Sequence, residues 1–200
     1  MKKIVLASNN AGKLKEFAHL LAPLDVQIIA QGELGVPECP EPYGTFIENA
    51  LTKARHAAKI TGLPALADDS GLCVHALGGA PGVYSARYAQ RAGEAKSDQR
   101  NNQHLLSELA QHTDRRAWYY AALVLVRSEN DPQPLIADGV CVGEIAQQAS
   151  GDGGFGYDPL FWLPQFGKTV AQISAEEKSQ ISHRAKALQS LIAKMQETGL

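Results

Sequence analysis

The sequence has few cysteines, no large excess of charge and no long apolar run. Its three cysteines, Cys39, Cys73 and Cys141, are far apart and form neither a CxxC pair nor a zinc-binding spacing. Their odd number and wide separation argue against a disulfide framework and favour a reducing, cytoplasmic setting. The formal net charge of −2 predicts no bulk electrostatic attraction to nucleic acid. Any bound anion must therefore be held by locally placed cations.

No apolar stretch is long enough to suggest a membrane span, so no membrane partner is expected. The apolar run over residues 3–7 stops at Ser8, which is too early for the core of a signal peptide. With 200 residues, 44% apolar and 20% charged, the chain suits one domain over 1–200. Two small lobes sharing a core would fit the same length. We find no internal repeat and no low-complexity segment.

A polar loop between a predicted strand and a predicted helix is the first candidate anion site. A buried strand is predicted over residues 3–7, of which 4–7 are apolar, and Ser8-Asn9-Asn10-Ala11-Gly12-Lys13 follows it. Apolar residues then recur at helical spacing from Leu14 to Leu21. A helix start offers unpaired N–H groups to a phosphate, and Lys13 would add a cation. The loop is not a Walker A sequence, and an ordinary turn with Lys13 in solvent is the alternative.

Two adjacent carboxylates, Asp68 and Asp69, follow the apolar run over residues 63–67, which is predicted as a buried strand. Because the next strand is predicted over 72–75, the pair is expected at a strand end. Burying two carboxylates is costly unless a cation neutralises them. A divalent cation does this well and leaves room for substrate phosphates. The alternative is a solvated turn in which one aspartate caps the chain.

An acidic loop over residues 31–44 carries Glu33, Glu38 and Glu41. Such a loop is usually exposed, but one of its glutamates could reach a metal shared with Asp69. A strand is predicted before it, over 26–30.

A helix is predicted over residues 45–61. Thr45 and Glu48 form a capping-box pattern at its start, and Gly62 marks its end. Its core stripe is predicted to contain Ile47, Leu51, Ala54 and Ala58. Three cations of the same helix are expected to form a solvated face: Lys53, Arg55 and Lys59.

The second half of the chain predicts a mixed sheet. Strands over residues 118–127 and 135–147 are joined by a turn at 130–132, as in an antiparallel hairpin. A helix over 97–112 precedes them. Because the chain begins with a β–α–β–α order, the sheet combines parallel and antiparallel strands.

A glycine-rich stretch with interleaved aromatics covers residues 151–159. Four glycines in six residues let the backbone approach a ligand closely. Phe155 and Tyr157 can offer ring faces, and Asp158 can accept hydrogen bonds. The alternative is a simple turn leading to a strand over 160–163.

A single long helix is predicted from the Ser174–Glu177 capping pattern to the C-terminal region. Lys178, His183 and Arg184 lie in its first half. Because His183 and Arg184 are adjacent, they diverge around the helix, and at least one is available to solvent or a ligand.

Six short motifs follow one another along nearly the whole chain. They are Ser8-x-Asn10-x-x-Lys13, Thr45-Phe46-x-Glu48-Asn49-Ala50, Ala67-Asp68-Asp69-Ser70-Gly71-Leu72, Gly78-x-x-Pro81-Gly82-x-x-Ser85-Ala86-Arg87, Gly154-Phe155-Gly156-Tyr157-Asp158-Pro159 and Ser182-His183-Arg184. In this order they closely resemble the inosine triphosphate pyrophosphatase family, and within it the bacterial members that act on dITP and XTP.

The resemblance implies an α/β fold with two lobes around a long mixed β-sheet flanked by helices, and an active-site cleft between the lobes. Family members hydrolyse ITP, dITP and XTP to the monophosphate and pyrophosphate. They use Mg²⁺, are usually homodimers, and remove non-standard purine nucleotides from the cytoplasmic pool. One nucleoside triphosphate pyrophosphatase domain over residues 1–200 is therefore expected.

The resemblance also implies roles for individual residues. Asp69 would be the general base or a metal-bound carboxylate, although the sequence does not separate it from Asp68. Glu41 would share the metal, and Ser70 would contact the substrate. The phosphates would be cradled by Ser8, Asn9, Asn10, Ala11, Gly12 and Lys13. The rest of the nucleotide would be held by Phe155, Gly156, Tyr157, Asp158, Lys178, His183 and Arg184.

Two positions depart from the family pattern. Ser8-Asn9-Asn10 stands where the family usually has Thr-Gly-Asn. Asparagine tolerates positive φ better than most residues, so the loop is expected to survive. His75 stands where many relatives have an aspartate. We expect a structural role for His75, because no second metal-ligand candidate is spaced near it.

Two other classes of function compete with hydrolysis. A nucleotide-binding sensor without turnover would gain nothing from carboxylates beside phosphate, so Asp68 and Asp69 argue against it. A nucleic-acid-binding protein could use the rings of Phe155 and Tyr157. The negative net charge and the lack of a basic stripe argue against that class.

Overall fold

The computed structural model describes residues 2–199, with the side chains of residues 19 and 20 left out. Within that part of the chain, seven strands form one sheet in the order β2-β1-β3-β4-β5-β6-β7. The strands are β1 (Lys2–Leu6), β2 (Val26–Ala30), β3 (Ala65–Val74), β4 (Arg116–Val126), β5 (Leu135–Ile145), β6 (Phe161–Leu163) and β7 (Lys168–Thr169). The helices are α1 (Ala11–Leu21), α2 (Phe46–Thr61), α3 (Tyr88–Arg91), α4 (Asp98–Glu108), α5 (Ala175–Ile181) and α6 (His183–Glu197).

The sheet is mixed, as the sequence predicts. Strand β1 pairs in parallel with β2 and β3, whereas β6 pairs antiparallel with β5 and β7. The predicted neighbours β4 and β5 are adjacent in the sheet. The α/β fold class is therefore confirmed.

The chain divides into two compact units, each with its own core. The first contains Met1–Asp69, Ala121–Gly139 and Lys186–Leu200. Alternation along β1 divides its core: Leu6 packs with Phe17 of α1, and Val5 packs with Ala54 of α2. Helices α1 and α2 therefore cover opposite faces of this part of the sheet.

The second unit contains Ser70–Tyr120 and Val140–Ala185. Its core joins Leu72 of β3, Leu105 of α4 and Phe161 of β6, all fully buried. Tyr157, from the glycine-rich stretch, lies in the same core. The stretch is thereby anchored to the unit that contains α4 and α5.

The expected strand end at Asp68 and Asp69 is wrong. Strand β3 runs without interruption from Ala65 to Val74, so the pair lies in its middle and the predicted strand over 72–75 is the continuation of β3. The alternative of a solvated turn is also wrong, because Asp68 and Asp69 are buried and Gly71 stays within the strand without positive φ.

The prediction of a single long C-terminal helix is also wrong, because the helix is interrupted at Ser182. Ser182 has a ψ of 150°, an extended conformation that ends α5. Its Oγ accepts the Ala185 N–H at 3.1 Å, which caps the start of α6. Lys178 therefore belongs to α5, whereas His183 and Arg184 begin α6.

The buried face of α2 differs from the predicted stripe. Its buried residues are Asn49, Ala50, Ala54, Ala57 and Ala58. Ile47, predicted inside, is 39% exposed. Lys59 lies in solvent as expected, with its side chain 64% exposed. The side chain of Lys53 is only 12% exposed, so the expected solvated face is wrong at this position.

Candidate active site

Lys53 is the centre of a group that we call the carboxylate–lysine cluster: Lys13, Glu41, Lys53, Asp68 and Asp69. Its Nζ donates to Glu41 Oε1 at 2.6 Å and to Asp69 Oδ1 at 2.9 Å. A third bond, at 3.0 Å, goes to the main-chain carbonyl of Asp68. An ammonium group has three donors, and here all three are used. Lys53 thus joins the acidic loop to β3.

Lys13 neutralises the other aspartate. Its Nζ lies 3.0 Å from Asp68 Oδ2, and the Asp68 side chain is fully buried. Successive residues of a strand point to opposite faces. Asp68 therefore meets Lys13 on the face covered by α1, whereas Asp69 meets Lys53 on the face covered by α2. The two aspartates are neighbours in sequence but have separate cations.

Asp69 retains an acceptor oxygen inside this cluster. Within residues 2–199, its buried Oδ2 has no hydrogen-bond partner. Burial raises the pKa of Asp69 above its ordinary value, although the nearby Lys53 ammonium opposes that shift. Burial also disfavours the charge on Lys53, but Asp69 and Glu41 outweigh it and raise the Lys53 pKa. A buried carboxylate with a raised pKa and an open oxygen is suited to accept a proton.

The loop from Ser8 to Lys13 is organised by its own side chains. Ser8 Oγ accepts the Asn10 N–H at 3.1 Å, and Asn10 Oδ1 accepts the Lys13 N–H at 3.0 Å. Asn10 thereby caps α1. The N–H groups of Ala11 and Gly12 lie in the first turn, where a helix has no acceptor of its own. They remain a candidate anion site.

Asn9 does not use its tolerance of positive φ. Among the residues described, Asp25 is the one non-glycine residue with positive φ. Asn9 Oδ1 instead accepts the Gly32 N–H at 2.8 Å. A Cβ on Gly32 would lie 2.6 Å from that oxygen, so a larger residue there would displace the Asn9 side chain. Asn9, which stands where the family usually has glycine, therefore adds a hydrogen bond from its side chain to the segment after β2.

In the second unit, Asp158 holds what we call the aromatic loop, residues 154–158. Asp158 Oδ2 accepts the Phe155 N–H at 2.9 Å and Lys178 Nζ at 2.6 Å. Asp158 Oδ1 accepts the Tyr119 hydroxyl at 3.3 Å. Phe155 is 61% exposed, and Lys178 Nζ lies 4.9 Å from its ring centroid. The loop therefore presents one aromatic ring next to one cation.

Tyr157 does not offer the ring face that its sequence position suggested. Its ring is 4% exposed within the core. The hydroxyl donates to the carbonyl of Ser85 at 2.8 Å. Burial raises the pKa of Tyr157, which keeps the phenol neutral. Its role in the described residues is to anchor the loop.

His183 and Arg184 diverge as predicted from their adjacency. The His183 ring stacks on Tyr119 with centroids 4.9 Å apart. Arg184 is 7% exposed, and its Nη2 donates to Ser70 Oγ at 3.4 Å. Ser70 follows Asp69 directly along β3. Arg184 is therefore hydrogen-bonded to the residue next to the candidate general base.

The donor set fits a magnesium ion that is completed by its substrate. No cluster of three or more His, Cys, Asp or Glu side chains able to hold a metal occurs in residues 2–199. Magnesium commonly takes only one or two carboxylates, with water and substrate phosphates as its other ligands. Glu41 and Asp69 supply two carboxylates, which Lys53 joins.

Sequence reasoning missed Lys53 and Tyr119. For Lys53 a signal existed: it lies one helical turn from Asn49 and one from Ala57, both buried. A lysine between two buried positions of one face predicts a buried ion pair. Tyr119 carried no such signal, because its partners Asp158 and His183 come from distant segments.

These features define an α/β protein with buried carboxylates matched by lysines, a site suited to an anionic ligand and a cation. The Ham1 family model matches residues 4–194. The chain belongs to the Ham1 family.

Curated relatives match the chain along its full length. The dITP/XTP pyrophosphatase of Bordetella pertussis is 62% identical over 199 residues, covering 100% of this chain and 93% of its own. The dITP/XTP pyrophosphatase of Ralstonia nicotianae is also 62% identical, with 98% and 97% covered. Among solved structures, a HAM1 protein from Coxiella burnetii has a TM-score of 0.93 at 49% identity, covering 98% of this chain and 100% of its own.

We predict that Lys53→Met destabilises the protein by about 3–5 kcal/mol, because it leaves a carboxylate buried without its cation. The cost should grow with pH. Burial raises the pKa of Asp69, so the folded protein holds that proton more tightly than the unfolded chain does. The stability contributed by Asp69 therefore falls as pH rises between its ordinary and raised pKa. Without Lys53 that pKa rises further and the penalty widens.

The measurement is urea unfolding of parent and variant across the acidic to neutral range. Lys59→Met is the matched control, because this lysine of the same helix pairs with Glu129 in solvent. It should change stability little at any pH. Equal effects of the two variants would contradict the assigned role of Lys53.

Proposed function

We propose that this protein hydrolyses non-standard purine nucleoside triphosphates, ITP, dITP and XTP, to the monophosphate and pyrophosphate. One observation carries the proposal: the full-length similarity, at 62% identity, to proteins named dITP/XTP pyrophosphatase. The carboxylate–lysine cluster supplies groups that such a reaction requires. Removal of these nucleotides would cleanse the pool from which nucleic acids are made.

The chemistry assigns the phosphates to cations and to the start of α1. In the first unit Lys13 is held by Asp68, so its ammonium is fixed in place before substrate arrives. The family resemblance assigns Lys178, which Asp158 holds in the second unit, to the nucleotide. The first-turn N–H groups of α1 add a positive dipole end. A net charge of −2 gives no general attraction for a triphosphate, so these local groups must provide it.

The products place the cleavage at the bridge between the α- and β-phosphorus atoms, and we assign the attack of water to the α-phosphorus. A water molecule adds to the α-phosphorus, the bond between this atom and the bridging oxygen of the β-phosphate breaks, and pyrophosphate leaves. Asp69 Oδ2 is the acceptor we assign to the proton of that water. Glu41 and Asp69 would hold Mg²⁺, which when bound neutralises phosphate charge and orients the water.

We assign recognition of the purine base to residues of the second unit. Phe155 is exposed and can stack on any purine. Selectivity must then come from polar groups at the base edge. Arg184 can only donate, which matches the 6-carbonyl of hypoxanthine and xanthine but not the 6-amino group of adenine. His183 is the alternative donor.

Three further properties are proposed from the family resemblance: one domain over residues 1–200, a homodimer and a cytoplasmic location. The three cysteines are free thiols, which suits a reducing compartment. Over the described residues, no helix is both long and apolar enough to cross a membrane. The acidic net charge supports a function without nucleic acid.

The test is an assay of purified protein with Mg²⁺ and a panel of nucleoside triphosphates, with the phosphorus product identified. We expect pyrophosphate from ITP, dITP and XTP, little product from ATP, and loss of turnover when a chelator removes the metal. Orthophosphate as the product would contradict the assigned bond cleavage. Tight binding without product would support a sensor, and salt-sensitive binding to oligonucleotides would support a nucleic-acid-binding protein.

Asp69→Asn should abolish turnover while nucleotide binding largely persists. The amide keeps the shape but loses the charge and the basicity, and loss of general-base help alone costs roughly 10²–10⁴-fold. The measurement is kcat for ITP together with the dissociation constant of the same nucleotide. Asp138→Asn, an exposed aspartate on β5, is the control and should retain the parent rate. A folded Asp69→Asn variant with a near-normal rate would move the role to another group.

Arg184→Ala should reduce ITP turnover and narrow the difference between ITP and ATP. A site built around one hydrogen bond can reject a mismatched partner by about 10⁴–10⁵-fold, so its loss should be visible in the ratio. The measurement is kcat/KM for both nucleotides in the parent, Arg184→Ala and His183→Ala. Arg55→Ala, an exposed arginine of α2, serves as control. An unchanged ratio in both site variants would mean that this pair does not contact the base edge.

A further inference from the structure

Two side chains of α4 hold one glycine of the aromatic loop. Asp98 Oδ2 accepts the Gly156 N–H at 2.8 Å. Asn102 Nδ2 donates to the Gly156 carbonyl at 2.9 Å. Asp98 is the first residue of α4 and Asn102 comes one turn later, so both side chains leave the helix on the same side. We call Asp98 and Asn102 the α4 clamp.

The clamp holds a backbone conformation that glycine alone adopts easily. Gly156 has a φ of +62°, and a Cβ there would meet no atom within 4 Å. Its conformation, and not lack of space, therefore calls for glycine. On the other side of Phe155, Asp158 holds the Phe155 N–H at 2.9 Å. The residue that presents the exposed ring thus lies between two anchored points of the main chain.

We propose that Asp98 and Asn102 are positioning residues for nucleotide binding, which act by holding Gly156 so that the Phe155 ring is preorganised to stack on the purine. This inference rests on the proposed function. A ring fixed before the ligand arrives loses less conformational freedom on binding, so the clamp contributes affinity without touching the substrate. The clamp bonds to main-chain atoms of Gly156, whereas the chemical step is assigned to Asp69.

The expected signature is a rise in KM with little change in kcat. Loss of one hydrogen bond of ordinary net strength corresponds to about a tenfold change in affinity. Stacking is tolerant of base identity, so ITP and ATP should be affected about equally. This separates the clamp from Arg184, whose loss should change the ratio between the two nucleotides.

The experiment compares Asp98→Ala, Asp98→Asn and Asn102→Ala by steady-state kinetics. Asp98→Asn retains an oxygen that can accept the Gly156 N–H, so it should restore most of the affinity that Asp98→Ala loses. Gln103→Ala, an exposed neighbour on α4, is the control and should match the parent. Thermal unfolding of each variant confirms that α4 is intact. A folded Asp98→Ala variant with the parent KM, or with a loss confined to kcat, would overturn the inference.

A double-mutant cycle tests whether the clamp acts through the ring. In a Phe155→Ala background, adding Asp98→Ala should raise KM by no more than about twofold, because the group being positioned is gone. Full additivity of the two effects would overturn the proposal. Dissociation constants for ITP, measured by calorimetry, provide the same cycle without turnover. Absence of turnover in the parent would contradict the proposed function. A cycle that is additive in binding would contradict the positioning role of the clamp.

Discussion

The site depends on the neutralisation of two carboxylates buried side by side in the middle of a strand. Either one alone in that environment would favour its protonated form or destabilise the fold. Lys13 and Lys53 remove this conflict from opposite faces of β3. Helices α1 and α2 must therefore be placed so that each delivers one ammonium group. The packing of Phe17 and Ala54 against the sheet serves that placement as much as it serves stability.

The sequence predicted most of what depends on local pattern. Strand β2 has the predicted bounds, and α4 begins one residue after the predicted start at residue 97. Prediction from the sequence failed where contacts with distant residues override the local preference for a turn or a helix. Serine and glycine are common in turns, yet β3 continues through Ser70-Gly71 as one strand, with β4 as a neighbour in the sheet. Ser182 resembles an interior helix residue, yet its hydroxyl captures the Ala185 N–H and separates two helices.

The candidate residues could be named from the sequence, but their contacts could not. The motifs contain Asp69 and Arg184, the family resemblance adds Lys178, and the structure shows which atoms these residues contact. Lys53 was predicted on an exposed face because charged residues of a helix usually face solvent. Its burial is possible because Glu41 and Asp69 offset the cost of removing its charge from water. Asp158 was expected at a ligand, but its two oxygens are engaged by Phe155, Lys178 and Tyr119. Such networks join segments far apart in sequence, and no local period encodes them.

The alternation of Asp68 and Asp69 across β3 has a consequence for how this sequence can change. A one-residue insertion or deletion between Ala65 and Asp68 would slide the strand by one position and turn each of the two side chains to the other face. Only one of the two original positions would then hold a carboxylate, because the other aspartate would lie two residues along its new face. A deletion, for example, would place Asp69 opposite Lys13 and Ser70 opposite Lys53, and Glu41 would be the carboxylate that stays beside Lys53. The register of β3 is therefore fixed by charge balance as well as by the surrounding apolar residues.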